Sequence, residues 1–319
     1  MKKILIIRFS SIGDIVLTSP VVRCIKLQTH AKVHFLIKEQ YVSILESNPY
    51  VDKIIPVNKS LTKLVQLLRM EQYDYVVDLQ NSFRSYWLKI RLNNNSYTVN
   101  KQNWKKFLSI YFGINLLKDH VVDRYFKTIK SLNIVNDFKG LDYFICDDLN
   151  LDVIVSGKFL VWCIGASYEQ KTLSINQIVQ VCNNLTIPCL LLGGNNEFTK
   201  GEMIIQETTN NSIFNMCGKL SLDESAYYIK KSEVVLTGDT GLMHIAAAFH
   251  KKIISFWGCT KPLLGFSPYM PANTSFQLVF APNKRPCSKH GNYCQLTKDG
   301  CVKKIESEEI KKVIIDYCN

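Results

Sequence analysis

A single carboxylate, Asp14, follows the first apolar run of the sequence, where it could perform chemistry or cap a helix. The run KILIIRF (3–9) predicts a strand, and the small residues Ser10, Ser11 and Gly13 come directly after it. Ligands of open α/β sheets bind beyond the carboxyl ends of the strands, and small residues leave them room. Asp14 is therefore either an N-terminal helix cap or a general base, and its spacing alone leaves both alternatives open.

The segment VVLTGDTGLMHIAAA (234–248) predicts a strand, a tight turn and a helix. The strand would end at Asp239, Thr240 and Gly241 would open the helix, and His244 would lie one turn further on. Free N–H groups at a helix N-terminus bind anions such as a pyrophosphate. The pattern therefore predicts a phosphate site, although Asp239 could instead cap the helix and His244 could be an ordinary packed side chain.

Two further polar residues follow predicted strands in the second half of the chain. Lys171 comes after the run at 159–167, and Glu197 comes after the run at 188–194. A lysine at a strand end can neutralise a phosphate as a point charge, or it can simply be solvated. Glu197 could accept a hydrogen bond from a ribose hydroxyl, or it could only start the next helix.

Cysteines near the C-terminus form a third candidate group. Cysteine and histidine side chains suit zinc, and the candidates here are Cys287, His290, Cys294 and Cys301. Their spacing lacks the tight Cys-x2-Cys pair. A disulfide and free thiols in a structured loop are the alternatives. In a reducing compartment, five other cysteines are expected to be small buried side chains: Cys24, Cys146, Cys163, Cys182 and Cys189.

The elements that must position these residues alternate between short apolar strands and helices with one apolar face. Four strand-like runs lie in the first half, and five more follow residue 155, with a weaker rhythm from about 113 to 155. Near-continuous apolar strands suit parallel sheets that are covered on both faces. The sequence predicts an α/β protein with two doubly wound sheets and a boundary near 150–158. The segment 307–318 predicts a final helix, which could pack on its own domain or on the first one.

The bulk composition limits the function classes. The chain has 319 residues, enough for two domains, and a net charge of +12. This excess favours nucleic acid, an acidic membrane surface or phosphorylated small molecules as partners, although a solvated basic surface is the alternative. The sequence has no glycine-rich dinucleotide fingerprint and no Walker A loop, which argues against a nicotinamide dehydrogenase and a P-loop NTPase. Arg8 and Asp14 interrupt the apolar region that a signal peptide would need, so we expect a cytoplasmic protein.

Four segments together resemble one family of enzymes. SSIGD (10–14), GDTGLMHIAAA (238–248), KKIISFWGCTKP (251–262) and LLGFSPY (263–269) are similar to the lipopolysaccharide heptosyltransferases, glycosyltransferase family nine. The resemblance implies a GT-B fold, with two Rossmann-like domains that face each other across a central cleft. Residues 1–155 would bind the acceptor and residues 156–319 the nucleotide-sugar.

The resemblance also implies an activity and the residues that perform it. A heptose would pass from ADP-heptose to the lipid A and inner-core acceptor, with inversion and without a metal or cofactor. Asp14 would be the general base, and Ser10, Ser11 and Gly13 would line the acceptor side. The residues implied for donor binding are Lys171, Glu197, Asp239, Thr240, Gly241 and His244.

Alternatives to this activity remain open from the sequence. One is a transferase with another nucleotide-sugar or acceptor, and another is a sugar-nucleotide epimerase of the same architecture. Two alternatives are not enzymes: a catalytically silent scaffold of the same fold and a basic nucleic-acid-binding protein. The chain has no helix-turn-helix, finger or aromatic RNA motif, so we expect no nucleic-acid partner.

A lipid-linked, phosphorylated acceptor implies peripheral contact with the inner face of the inner membrane. The candidate surface combines Lys101, Lys105 and Lys106 with the interleaved aromatic residues Trp104 and Phe107. Lysines near such a surface are attracted to anionic lipid headgroups. An ordinary amphipathic helix is the alternative for this segment.

Overall fold

The computed structural model describes residues 1–57, 60–147, 149, 157–272 and 274–318. The chain forms two units, of which the first comprises Met1–Lys101 and Asp119–Cys146. The second comprises Gln102–Lys118 and Asp147–Asn319. The predicted domain boundary at residues 155 and 156 lies outside the described residues.

The described chain alternates strands and helices. The strands are β1 Lys3–Ile7, β2 Lys32–Lys38, β3 Lys53–Val57, β4 Tyr75–Asp78, β5 Asn95–Thr98, β6 Leu160–Cys163, β7 Cys189–Leu192, β8 Ile213–Asn215, β9 Val234–Gly238, β10 Lys252–Trp257 and β11 Ser275–Val279. The helices are α1 Ile12–Val16, α2 Ser19–Thr29, α3 Ser43–Glu46, α4 Leu61–Met70, α5 Phe83–Leu92, α6 Asn103–Phe107, α7 Val121–Thr128, α8 Ile175–Cys182, α9 Phe198–Glu207, α10 Leu222–Lys231, α11 Gly241–Ala248 and α12 Ser307–Cys318.

The first unit is built on a parallel sheet with the strand order β3-β2-β1-β4-β5. The central strand β1 is buried from Ile4 to Ile7, as its unbroken apolar sequence predicts. In register, Ile4 lies opposite Val33 of β2 on one side and Tyr75 of β4 on the other.

The second unit is built on a six-stranded parallel sheet with the order β11-β10-β9-β6-β7-β8. Leu236 and Ile254 lie in its core, and the final helix α12 adds Ile310 and Ile314 to the same core. The helix at the C-terminus therefore packs on the sheet of the second unit. The predicted α/β class with two doubly wound parallel sheets is confirmed.

Both sheets share one topological feature that decides where ligands bind. In the first sheet, β2 and β3 are added on one side of β1, and β4 then pairs with the other side of β1. In the second sheet, β7 and β8 are added on one side of β6, and β9 then pairs with its other side. The carboxyl ends of the two central strands then carry loops that diverge in opposite directions. This divergence leaves a crevice between β1 and β4 and another between β6 and β9.

The sequence predictions missed two strands, and both lie at sheet edges. β5 has the sequence NSYT, and β11 has the sequence SFQLV with only Leu278 buried. An edge strand has one covered side and needs fewer apolar residues, so its pattern is weak.

One cysteine prediction was wrong. Cys146 is exposed, whereas Cys24, Cys163, Cys182 and Cys189 are buried as expected. Burial raises the pKa of the Cys182 thiol to about 12, which keeps this side chain neutral at ordinary pH.

No helix in the described residues is both long and apolar enough to cross a lipid bilayer.

Candidate functional site

Asp14 lies at the carboxyl end of β1, where its side chain is held through one oxygen. Ser11 donates to Asp14 Oδ2 from its backbone N–H at 3.3 Å and from its hydroxyl at 3.1 Å. Arg8 Nη2 lies 2.7 Å from the same oxygen. All three contacts use Oδ2, and the side chain is 27% exposed. Asp14 therefore has a second oxygen, Oδ1, with no hydrogen bond to a described residue.

The turn that carries Asp14 combines the two roles that the sequence left open. Ser11 is the N-cap of α1, Gly13 is buried within that helix, and Asp14 is its third residue and bonds back to Ser11 N–H. The peptide bond between Ser10 and Ser11 is cis. Asp14 thus stabilises the first turn of the helix from its third position, not as the N-cap, and its Oδ1 keeps no hydrogen bond to a described residue, so the capping interaction does not exclude a chemical role.

Arg8 is the residue that fixes this carboxylate, and sequence reasoning did not identify it. Its side chain is buried, and it donates from Nε to Ser10 O at 2.8 Å and from Nη1 to Leu79 O at 2.7 Å. Leu79 follows β4, so the guanidinium bridges the crevice between β1 and β4. A basic residue directly after the apolar run ILII (4–7) was the signal that could have revealed it.

The surroundings of Asp14 set its protonation state. Burial by itself would raise the pKa of this carboxyl, but the Arg8 guanidinium and the two Ser11 hydrogen bonds outweigh it. The pKa of Asp14 therefore lies below its ordinary value of 3.8. At neutral pH the group is an ionised carboxylate that can accept a proton.

Lys171 and Asp239, which are far apart in sequence, form an ion pair in the second unit. Lys171 Nζ lies 2.7 Å from Asp239 Oδ2, and the two side chains are 11% and 15% exposed. Lys171 ends a 3₁₀ turn after β6, and Asp239 follows β9. Because β6 and β9 are neighbours, the pair lies at the crevice of the second sheet, beside a small pocket whose wall includes Gly238.

Helix α11 begins at this pair, but Asp239 is not its cap. Thr240 is the N-cap, because its Oγ1 accepts the Met243 N–H at 3.3 Å. The alternative that Asp239 caps the helix is therefore wrong, and its carboxylate pairs with Lys171 instead. Gly241 is the first helical residue, and His244 is buried one turn further on.

A close approach of two backbones favours glycine at position 238, at the end of β9. A methyl group at this position would lie 3.0 Å from the Lys171 carbonyl oxygen. This tight packing brings the Lys171 turn directly against the strand that leads to Asp239.

Glu197 starts a helical segment, as one of the two sequence readings predicts. Its Oε2 accepts the Gly194 N–H at 2.8 Å. The side chain lies over Gly165 and Gly193 at the ends of β6 and β7, where a methyl group at Gly165 would lie 2.6 Å from Glu197 Cδ. The ribose contact for Glu197 stays a prediction.

The cysteine loop assembles four thiols, but not the four groups that the sequence suggested. The Sγ atoms of Cys259, Cys287, Cys294 and Cys301 all lie within 4.8 Å of one another, and His290 does not belong to the group. Cys259 was missed because it lies 28 positions before Cys287, at the end of β10. Of the described side chains, these four could hold a metal ion.

The basic and aromatic segment around α6 also differs from its prediction. Lys106 is buried, and its Nζ lies 4.9 Å from the centre of the Phe266 ring, so it cannot belong to an exposed lysine surface. Lys101 and Lys105 are half-buried. Trp104 and Phe112 are 68% and 64% exposed, so the exposed character of this segment is mainly aromatic.

Comparisons with known proteins found a matching family model, curated relatives and solved structures with a similar fold. A model described as glycosyltransferase family 9 (heptosyltransferase) matches residues 61–297. The lipopolysaccharide heptosyltransferase 1 of Campylobacter coli is 24% identical over 349 aligned positions, which cover 98% of this chain and 98% of that protein. A glycosyl transferase family 9 structure from Veillonella parvula is 18% identical with a TM-score of 0.78, covering 99% of this chain and 97% of that chain. The E. coli heptosyltransferase WaaC with ADP is 19% identical with a TM-score of 0.72, covering 99% of both chains.

We predict that Arg8→Met destabilises the protein in a pH-dependent manner. The variant leaves the Asp14 carboxylate without its cation, which should cost about 2 kcal/mol, or roughly 5 °C in Tm, at neutral pH. Because the pKa of Asp14 is depressed in the folded protein, the stabilisation by Arg8 is present above pH 3.8 and is lost as the pH falls further. Thermal unfolding from pH 7 to pH 3 measures the difference.

The control is the same substitution in an Asp14→Asn background. There the effect of Arg8→Met should change far less with pH, since the carboxylate that Arg8 contacts at 2.7 Å is absent. An equal pH dependence in both backgrounds would show that Arg8 acts on another group.

Proposed function

The chain belongs to glycosyltransferase family 9, the heptosyltransferase family, and from this premise we propose that it transfers a heptose from ADP-heptose to the lipid A and inner-core acceptor of lipopolysaccharide, with inversion at the anomeric carbon. The observation that carries the proposal is the position of its two polar groups. Asp14 and the Lys171–Asp239 pair each lie at the switch point of a parallel sheet, where ligands of such sheets bind.

Asp14 is the proposed general base. The acceptor hydroxyl gives its proton to Asp14 Oδ1 while its oxygen forms a bond to the anomeric carbon. The bond from that carbon to the diphosphate oxygen breaks on the opposite face, so ADP leaves and the configuration inverts. A carboxylate with a depressed pKa remains ionised for this role, and proton transfer becomes favourable as the attacking oxygen gains positive charge.

Arg8 is the proposed positioning residue for this step. It holds Oδ2 at 2.7 Å and is itself tied to two backbone carbonyls, so Oδ1 keeps a fixed direction. Ser10, Ser11 and Gly13 bring no bulky side chain to this strand end, so an acceptor hydroxyl could approach the carboxylate. Acceptor contacts of these three residues are part of the proposal.

Lys171 is the proposed counter-ion of the leaving diphosphate. Its ammonium has three donors, of which one points to Asp239, so others remain for phosphate oxygens. Asp239 would orient the ammonium and limit its motion. The N-terminus of α11 at Thr240 and Gly241 adds partial positive charge beside the same diphosphate.

The donor site needs no metal ion at the reacting atoms in this proposal, because Lys171 and the helix N-terminus supply the positive charge. A diphosphate is a good leaving group, so no second acid is required either. Donor contacts of Glu197 and His244 are also part of the proposal. The structure of the E. coli heptosyltransferase WaaC with ADP, a relative in fold, supports an adenine nucleotide as the donor's leaving group. Asp14 lies in the first unit and Lys171 in the second, so residues 1–155 and 156–319 are proposed as acceptor and donor domains.

A phosphorylated, lipid-linked acceptor places the proposed reaction at the cytoplasmic face of the inner membrane. We assign peripheral contact to the exposed aromatic patch, which is defined by Trp104, Phe107, Tyr111 and Phe112. The rings contact one another, with centroids 4.7 Å apart for Phe107 and Tyr111. Aromatic rings suit the headgroup level of a bilayer, and the net charge of +12 favours an anionic surface.

Asp14→Asn should lower turnover strongly without loss of donor binding. We expect kcat to fall by about 10²- to 10⁴-fold, since the variant cannot accept the hydroxyl proton. ADP affinity, measured by calorimetry, should stay within about twofold because Asp14 belongs to the acceptor side. Glu46→Gln is the control, since it removes an exposed carboxylate elsewhere in the first unit and should leave kcat unchanged. Transfer by Asp14→Asn near the wild-type rate would remove the base assignment.

Lys171→Met should weaken ADP binding by about 10- to 100-fold, because a charged hydrogen bond to phosphate is lost. Lys231→Met removes an exposed lysine of the same unit and should bind ADP as the wild type does. Adenosine, which lacks phosphates, is the second comparison. If Lys171→Met weakened adenosine as much as ADP, the lysine would not act on the diphosphate.

Replacement of Trp104 and Phe112 by serine should lower association with anionic phosphatidylglycerol vesicles by about tenfold, because two apolar anchors are removed. Sedimentation with vesicles measures the bound fraction. Phe83→Ser is the matched control, since this phenylalanine is 84% exposed in the first unit. Equal losses for both variants would mean that the patch is not the membrane contact.

A further inference from the structure

The four thiols at the end of β10 have the spacing of a metal site. Cys259 Sγ lies 3.8 Å from Cys301 Sγ, and Cys287 Sγ lies 3.8 Å from Cys294 Sγ. A disulfide would need about 2.05 Å, so neither pair is bonded. In a tetrahedron of thiolates around zinc, with Zn–S near 2.3 Å, the sulfur atoms lie about 3.8 Å apart. The two separations of 3.8 Å match the edges of that tetrahedron, and the other sulfur pairs lie within 4.8 Å.

Two segments of the backbone build the cluster. Cys259 follows β10, and the Cys287 N–H donates to the Cys259 carbonyl at 2.9 Å, which docks the long loop on the strand end. Cys259, Cys287 and Cys301 are buried and Cys294 is half-buried. The site is thus formed by the fold of the second unit and closed on most sides.

The environment of Cys294 suits a thiolate. Its Sγ accepts the N–H groups of Leu296 at 3.4 Å and Thr297 at 3.3 Å, and the Thr297 hydroxyl at 3.5 Å. Three donors on one sulfur stabilise negative charge, whereas a buried neutral thiol needs none. Several thiolates within 4.8 Å would repel one another, so such a cluster requires a cation.

The positive charge of the one nearby lysine is not enough to neutralise four thiolates. Lys261 is buried two residues after Cys259, and its Nζ donates to the carbonyls of Phe280 and Ala281. One ammonium committed to two carbonyls cannot take the place of a divalent ion among four sulfur atoms.

We propose that Cys259, Cys287, Cys294 and Cys301 bind one thiophilic transition-metal ion, zinc or iron, as four thiolate ligands. Soft sulfur ligands select such ions over magnesium and calcium, and four protein ligands in a tetrahedron leave no position open for a substrate. The ion is therefore structural, and binding releases the thiol protons to solvent.

The metal site supports the candidate donor lysine. A methyl group at Gly291, in the loop between Cys287 and Cys294, would lie 2.5 Å from Lys171 Cγ. The loop backbone is thus packed against the lysine stem. Lys303, just after Cys301, pairs with Glu169 at 2.9 Å and holds the same turn from its other end. The ion would hold in place the loop that packs against Lys171. This consequence rests on the proposed function, in which Lys171 binds the donor diphosphate.

Elemental analysis of the full chain, purified without chelators, tests the site. We expect about one zinc or iron ion per chain in the wild type and loss of at least tenfold of that content in Cys259→Ala and Cys301→Ala. Cys182→Ala, buried on α8, and Cys146→Ala, exposed, are matched controls that should retain the ion. Wild-type protein without stoichiometric metal overturns the proposal.

Thiol counting on the wild type keeps the test valid if the variants fail to fold. Denaturation with a chelator and without reductant should expose all 11 thiols of the sequence and release the ion in the same step. Fewer thiols would show disulfides and overturn the proposal. Removal of the ion from the folded protein with a chelator should also weaken ADP binding. Stoichiometric metal in a protein that binds no ADP would leave the metal site standing and remove the donor proposal.

Discussion

The parallel pairing of β1 with β4 and of β6 with β9 is the constraint on which the rest of the structure depends. Each pair joins strands that are distant in sequence, and each brings two strand-end loops to one crevice. Without the second pairing, Lys171 and Asp239 would not meet at 2.7 Å. Without the first, Arg8 could not reach the carbonyl of Leu79 while it holds Asp14.

The two crevices use charge in opposite ways. In the first unit a buried cation fixes a carboxylate and leaves one of its oxygens open. In the second unit a carboxylate fixes a cation and leaves ammonium donors open. The first arrangement suits acceptance of a proton, and the second suits binding of an anion. A transferase that activates a hydroxyl and expels a diphosphate needs both.

Much of the fold could be predicted from the sequence because buried parallel strands are almost wholly apolar. The strand runs that lead to Asp14 and Asp239 stand out for this reason, and the fold class followed from them. The family was recognised separately, from the motifs at residues 10–14 and 238–269. β5 and β11 could not be recognised, since an edge strand such as NSYT has too few apolar residues to form a pattern. Arg8 and Cys259 were missed because their roles depend on partners that only the folded chain brings near. The sequence could not decide whether Asp239 caps α11. Asp and Thr both cap helices, and only the folded chain shows Asp239 paired with Lys171 and Thr240 in the cap position.

The segment Gln102–Lys118 belongs with the second unit, although it lies between two parts of the first. Its residues are tied there by Lys106 on the Phe266 ring, by Arg285 on the Tyr111 carbonyl and by a 2.8 Å hydrogen bond from Lys289 to Asn103. A single cut of the polypeptide therefore cannot yield two intact halves. A fragment that ends at residue 155 would carry this segment away from its partners and expose both surfaces. Separate expression of the second unit would require the segment to be grafted back or supplied as a peptide.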